Sequence, residues 1–474
     1  MQDETENPET SAADASSSVN ASPSESTSMS PSPDSASDTG TGATTGPDAT
    51  TSPGVRTSRR RMLGGVVGGV VAAAGAGYGA ALLTDGSSDG SSGAASSASA
   101  AAQTVAFYGR NQAGIATPAQ DRLAFAAFDV TSRSATDLQV LLGTWAAAAA
   151  QMTKGLPVGA VQDAPNSPPI DTGEADGLTA ANLTITVGFG PSLFDERFGL
   201  VNKRPAALAT LPTLPGDGSL QAARSGGDLC VQACADDPTV AFHAIRNFAR
   251  LARGTAVIRW SQLGFGRTSS TSTSQQTERN LMGFKDGTRN IKADDTTGLD
   301  DYVWVGDETD QDWMKGGSYL VSRRIRMLIE SWDTDYLADQ ENVFGRFKTS
   351  GAPLTGKTEF DTPNFTAKAS NGTAVIPLNA HIRLAAPETN SGQKILRRGY
   401  SYTDGIDLDT GLLDAGLFFL AYQKDPRRQF VPIQTRLGQQ DNLNEYIRHT
   451  GSALFAVPPG LAAAGDWWGK SLFT

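Results

Sequence analysis

The feature that most constrains folding is a switch of hydrophobic period that the chain makes twice. Arg122 to Val130 alternates as a strand does, and Thr136 to Met152 carries apolar residues and many alanines at helical spacing. Leu183 to Gly190 reads as a second strand ending in glycines, and Leu229 to Ala235 as a third. Asp237-Pro238 opens a helix that runs to Arg253 before Gly254 stops it, and a strand follows at Thr255 to Ser261. This strand-helix-strand-strand-helix-strand order is the ferredoxin-like pattern. The second half repeats its outline, with strands near Ser318 to Ile325, Leu412 to Gln423 and Ser452 to Val457 and helices at Ile325 to Leu337 and Leu437 to Thr450. Periodicity alone therefore supports an α+β fold in two units, with the Ser-, Thr- and Gln-rich stretch Arg267 to Glu278 as the linker.

Residues 1–57 are almost entirely Ser, Thr, Pro, Ala, Gly, Asp and Glu with no aromatic residue. Such a composition cannot bury enough apolar surface to offset its chain entropy, so it reads as a disordered tail. It holds nine acids and one base, Arg56, and thus most of the net charge of −11. From Ala101 onward 39 acids face 35 bases, a balance that argues against nucleic acid as a partner.

Ser58-Arg59-Arg60-Arg61-Met62-Leu63 opens a run of Gly, Val and Ala reaching Leu83. A twin arginine ahead of a weakly apolar stretch reads as a twin-arginine export signal, which with its linker occupies 58–100, and Ala98-Ser99-Ala100 offers a cleavage point. The alternative, a membrane-spanning helix, fits less well with so much glycine. Export by this route places the protein outside the cytoplasm, extracellular or in the cell envelope, and lets a cofactor be inserted before transport. The only cysteines, Cys230 and Cys234, would lie on one strand face about 13 Å apart, beyond disulfide reach, and read as buried thiols.

Gly283-Phe284-Lys285-Asp286-Gly287-Thr288-Arg289-Asn290 sets a carboxylate between two glycines and beside a cation. On local chemistry Asp286 is either an ordinary turn residue or a carboxylate aimed at a large ligand. Further on come Asn379-Ala380-His381-Ile382-Arg383-Leu384-Ala385-Ala386-Pro387 and Ile395-Leu396-Arg397-Arg398-Gly399-Tyr400-Ser401-Tyr402. In order and spacing these segments resemble the GxxDG signature, the haem-ligating histidine segment and the distal-arginine segment of the dye-decolourising peroxidases. The resemblance runs from about Val105 to the C-terminus. It is closest to the exported bacterial members, which include deferrochelatase-type proteins. At Asn111 the family commonly has histidine, so no metal role is assigned there.

The resemblance implies two ferredoxin-like halves, 104–270 and 280–474, with antiparallel sheets, peripheral helices and haem held mainly by the second. It implies one noncovalent haem b, and no Cys-x-x-Cys-His motif exists to attach haem through thioethers. Three histidines are present. His243 lies among Phe242, Ile245 and Phe248 and reads as packed; His449, at the end of the last expected helix, suits a cation near a C-terminal dipole. By resemblance His381 is the axial ligand of the haem iron, with Glu445 as first candidate and Asp441 as second to accept its other ring N–H.

The same resemblance makes Asp286 the proton shuttle for peroxide and Arg397 the cation that stabilises the departing oxygen, with Arg398 as the competing register or a propionate partner. Arg383 is the other propionate candidate, and Gly283, Phe284 and Gly287 belong to the cofactor pocket. Trp467, Trp468, Tyr400 and Tyr402 read either as packing or as electron relays. The implied activity is reduction of hydrogen peroxide coupled to oxidation of an organic, dye- or phenol-like, or metal donor. The alternatives are deferrochelatase-type release of iron from haem and non-catalytic haem binding. Hydrogen peroxide, the donor and the twin-arginine export machinery are the implied partners, with room for a homo-oligomer and for iron-uptake or metal-maturation proteins.

Overall fold

The computed structural model describes residues 103–160 and 164–474. The expected disordered tail, 1–57, and the expected export signal with its linker, 58–100, lie outside the described residues. The first half comprises β1 (Arg122–Val130), α1 (Ala135–Met152), β2 (Thr184–Phe189), β3 (Leu229–Ala235), α2 (Pro238–Leu251) and β4 (Ala256–Arg267). After it come α3 (Thr296–Tyr302), β5 (Ser318–Met327), α4 (Ile329–Trp332), α5 (Leu337–Phe344) and α6 (His381–Ala385). The chain ends through β6 (Leu396–Arg397), β7 (Tyr400–Ile406), β8 (Leu413–Gln423), α7 (Phe430–Gln440) and β9 (Ile447–Val457).

Local chemistry starts both long helices. Ser134 accepts the Asp137 N–H ahead of α1, and Asp237 accepts the N–H groups of Thr239 and Val240 ahead of α2, meeting donors that a helix start leaves unpaired. Their apolar faces close over the outside of the first-half sheet, where Trp145 sits edge-on between Phe128 and Phe248 and donates its indole N–H to the Phe248 carbonyl.

The strands of the first half lie in the order β2-β3-β1-β4, and those of the second in the order β7-β8-β5-β9, which is the same arrangement counted from the start of each half. All pairings are antiparallel. β4 joins β7 through Phe265↔Ser401 and Arg267↔Tyr400, and β2 joins β9 through Phe189↔Ala456, so the two sheets close into one ring with no free edge between them. The ring interior is filled by Phe125, Phe418, Phe455, Trp260, Tyr400, Tyr402 and Tyr422, with both cysteines buried there as free thiols.

The second half departs from expectation in three places. β5 continues to Met327, the helix expected over Ile325 to Leu337 is reduced to the single turn α4, and α5 begins only at Leu337. The last helix is Phe430–Gln440, and Ile447 onward is strand, so His449 is a strand residue beside β5 and not at a helix end. β6 and β7 form an interrupted strand on one edge of β8, where the sequence reading placed none. The expected linker is also tightly packed: Thr268, Ser269, Ser270 and Thr271 are buried, and the Thr271 hydroxyl donates to the Thr117 carbonyl at 2.6 Å.

Candidate active site

A cleft of about 1600 Å³, counting its open mouth, lies beside the second-half sheet. Its wall is apolar where Ile325 and Met327 of β5, Leu417 and Phe419 of β8 and Ile447 of β9 face α6 and α7. His381, Asp286, Gly287 and Arg397 all line this cleft.

His381 is the first residue of α6. Its Nδ1 lies 2.6 Å from Oδ2 of Asp441, whose other oxygen accepts the Leu443 N–H at 2.9 Å. A carboxylate opposite Nδ1 fixes the proton there and leaves Nε2 as the free lone pair. Burial pulls the imidazole toward neutrality, but the Asp441 charge and hydrogen bond outweigh it, and the histidine is a stronger base than usual. Its side chain keeps 29% exposure while lying deep among protein atoms, the pattern of a group facing a cavity. Glu445 does not play this part. It sits exposed in the turn after Asp441, which corrects the first candidate in favour of the second.

Asp286 follows β4 and the packed segment beyond it, and its N–H donates to the Glu278 carbonyl at 3.0 Å. Gly287 has φ of +86°, and a Cβ there would stand 2.8 Å from the Ser269 Cα, so only glycine lets the turn pass. The neighbouring Lys285 ammonium turns away to Glu359, which also accepts from the Thr288 hydroxyl at 3.1 Å. Burial favours the neutral carboxyl of Glu359, and hydrogen bonds from Lys285, Thr277 and Thr288 prevail, holding its pKa below the usual range. With Lys285 occupied, Oδ1 of Asp286 receives a direct hydrogen bond from Nη1 of Arg397.

Arg398 is the contrast. Successive residues on a strand point to opposite faces, and with Leu396 and Tyr400 inside the ring Arg398 must follow them. It is fully buried and donates to the carbonyls of Thr117 and Pro118 and to the Gln120 side chain, so it takes no part in the cleft. Arg383 is also corrected: its guanidinium donates to the carbonyls of Pro377 and Ile376 and packs on Phe365, pinning the segment ahead of α6. Phe284 lies one layer behind the cleft, stacked at 4.1 Å on Phe344, which meets the His381 ring edge-on. Gly283, against Lys348, does not reach the cleft either.

His243 is held by Asp171 at 2.9 Å on α2, away from the site. His449 does line the cleft, but Arg323 donates to its Nδ1 and the Gln434 amide approaches Nε2, both at 3.4 Å. Burial and the Arg323 charge lower its pKa to about 3, so it is a neutral side chain and not the cation the sequence suggested.

Sequence reasoning missed Arg346. It lines the cleft, is 5% exposed, and donates to the carbonyls of Gly351 and Glu359 without a carboxylate contact. Burial lowers its pKa to about 10, and the Glu359 charge only partly offsets this and the repulsion from Arg289 and Arg397. A lone arginine after a helix-ending glycine carries no signal of such a role. Nearer the mouth Arg289 pairs with Glu388 at 2.6 Å.

These features fit haem. The cleft has apolar walls, one imidazole with a free nitrogen, and basic side chains at Arg289, Arg346 and Lys394 that suit an anionic rim of propionates. A single imidazole with Nε2 free, set in an apolar cleft, suits a metal that arrives in its own macrocycle. Fold and site together define an α+β haem-dependent oxidoreductase.

Comparison with known proteins makes the assignment specific. Residues 112–266 match the family described as Dyp-type peroxidase, N-terminal, and 277–462 match Dyp-type peroxidase, C-terminal. The chain belongs to the Dyp-type peroxidase family. It is 39% identical over 373 residues to the deferrochelatase of Escherichia coli K12, covering 77% of this chain and 86% of that one. To the deferrochelatase of Yersinia pseudotuberculosis it is 40% identical over 375 residues, covering 78% and 85%. Among solved structures it resembles a DyP-type peroxidase from Streptomyces coelicolor, with TM-score 0.72 and 41% identity over 79% of this chain and 98% of that one. Ferric DtpA from Streptomyces lividans gives 0.71 and 42%, over 78% and 97%. The protein is thus a haem peroxidase that acts on hydrogen peroxide and an electron donor.

Proposed function

We propose that this haem peroxidase binds the iron through Nε2 of His381, with Asp441 holding the imidazole, and that Asp286 and Arg397 carry the peroxide chemistry. The haem supplies the redox-active iron. Asp286 takes the proton from one peroxide oxygen and returns it to the other, so that the leaving group departs as water. Arg397 holds the carboxylate in place and stabilises negative charge on the departing oxygen. Arg346 and Arg289 are the propionate partners, in place of Arg383 and Arg398. Organic donors of dye or phenol type, or metal ions, supply the electrons. The single observation that carries the reading is the Arg397–Asp286 contact in the same cleft as the His381–Asp441 pair.

We further propose that residues 58–100 act as a twin-arginine export signal and that the mature protein works extracellularly or in the cell envelope. A homo-oligomer and partner proteins of iron uptake or metal maturation are compatible with this reading.

A second reading is supported by the naming of the 39–40% identical relatives: release of iron from haem. The charged pair favours turnover of peroxide, since a site for haem alone has no need of it. The separating experiment is stopped-flow spectroscopy of the haem-loaded protein with hydrogen peroxide. Asp286→Ala should slow the first spectral change by about 10²–10⁴-fold while the resting Soret band is retained, the range that general acid–base groups contribute. An unchanged rate would remove Asp286 from the mechanism.

A further inference from the structure

The turn that begins at Asp286 ends at Asn290, whose side chain makes contacts the chemistry above does not use. Directly after β6 the Arg398 N–H donates to the Leu420 carbonyl of β8 at 2.8 Å, so by alternation the N–H and C=O of Arg397 point away from β8. Asn290 meets both. Its Oδ1 accepts the Arg397 N–H at 2.8 Å, and its Nδ2 donates to the Arg397 carbonyl at 2.8 Å and to the Ser270 carbonyl at 3.2 Å. The planar amide thus stands where a residue of a neighbouring strand would. Asn290 is 7% exposed, and its own N–H donates to the Gly287 carbonyl at 3.0 Å, closing the turn behind Asp286.

A closed ring results. The Asn290 amide grips the Arg397 backbone at one end of the turn, and the Asp286 carboxylate meets the Arg397 guanidinium at the other. Only a side chain with donor and acceptor in one plane can serve both backbone groups. Aspartate would set a carboxylate oxygen against the Arg397 carbonyl, and alanine would leave both groups unpaired inside the protein.

We propose that Asn290 is a positioning residue that fixes Arg397 and Asp286 relative to one another. The proposal rests on the role given to that pair above. Misplacement by about 1 Å is enough to cost about 10²-fold in rate. The peroxide reaction of Asn290→Ala and Asn290→Asp holoprotein should therefore fall about 10–100-fold, with unchanged haem content and Soret position. Fluoride affinity of the ferric protein, which depends on a hydrogen-bond donor held over the ligand, should fall with it. Asn290→Gln, which keeps the amide, should retain more of both than Asn290→Ala. Combining Asn290→Ala with Arg397→Ala should do no further harm beyond Arg397→Ala alone, because a positioning residue acts only through what it positions.

Wild-type rates and fluoride affinity in Asn290→Ala, or losses that multiply with those of Arg397→Ala, would overturn the proposal. Asn290→Asp, nearly the same shape, gives the same discrimination where the alanine variant folds poorly. Should neither Asp286→Ala nor Arg397→Ala slow the peroxide reaction, the reading of the pair falls and the proposal with it. Should both slow it while Asn290→Ala does not, the proposal alone falls.

Discussion

At the scale of single residues, two carboxylates and two histidines separate chemistry from scaffolding. Asp441 is 3% exposed and shared between His381 and the Leu443 N–H, whereas Glu445 is exposed. Removing an outer partner of a metal ligand typically costs about 10–100-fold in metal affinity. Haem titration of the apoprotein should show that loss for Asp441→Asn and none for Glu445→Gln; the reverse order would restore Glu445 to the site. His449 permits a test in pH. Its folded pKa is lowered to about 3 by burial and Arg323, against an opposing charge on Asp217. Below about 6.5 the unfolded chain takes up a proton there that the folded chain refuses, so stability falls as pH drops. At about 1.4 kcal/mol per pH unit, the loss from pH 6.5 to pH 5 is about 2 kcal/mol. Urea unfolding of His449→Gln should lack that part of the acid sensitivity, and parallel pH slopes in both proteins would contradict the neutral buried imidazole.

At the scale of elements, β6 decides the roles of two adjacent arginines by alternation alone. Arg397 faces the cleft and Arg398 the ring interior, where it satisfies carbonyls of the Thr117–Pro118 segment. Arg397→Met should therefore impair the peroxide reaction with little effect on unfolding. Arg398→Met should leave buried carbonyls unpaired at about 1–3 kcal/mol each, lower the urea midpoint and spare the peroxide reaction. Denaturation and stopped-flow measurements on both variants check this crossing of effects. The alternation was not legible in advance, because a two-residue strand has no periodicity of its own and β7 is separated from it by Arg398 and Gly399. The longer elements were legible. β1, β3, α1 and α2 fall within a residue or two of their hydrophobic patterns, because the helices set one face, and the strands both faces, against a core. The Phe430–Gln440 helix was misplaced because the polar run Gln439-Gln440-Asp441-Asn442 gives no stop signal of the Gly or Pro kind before the chain turns into β9.

At the scale of the molecule, two copies of one strand order close on each other, and the site belongs to the second copy. The duplication could be read from the repeated change of period, but the ring could not. Its two seams rest on few pairs, Phe189↔Ala456 on one side and Phe265↔Ser401 with Arg267↔Tyr400 on the other, and contacts between residues so far apart in sequence leave no local pattern. The motif residues Asp286, His381 and Arg397 were found from the resemblance, whereas Arg346 and the choice of Asp441 over Glu445 needed the folded chain. The central claim is that this cleft holds haem and turns over peroxide. Its most direct test is the visible absorption spectrum of the purified protein before and after one equivalent of hydrogen peroxide. A Soret band that shifts promptly on addition is the predicted result. A Soret band indifferent to peroxide, or none after reconstitution with haem, would contradict the account.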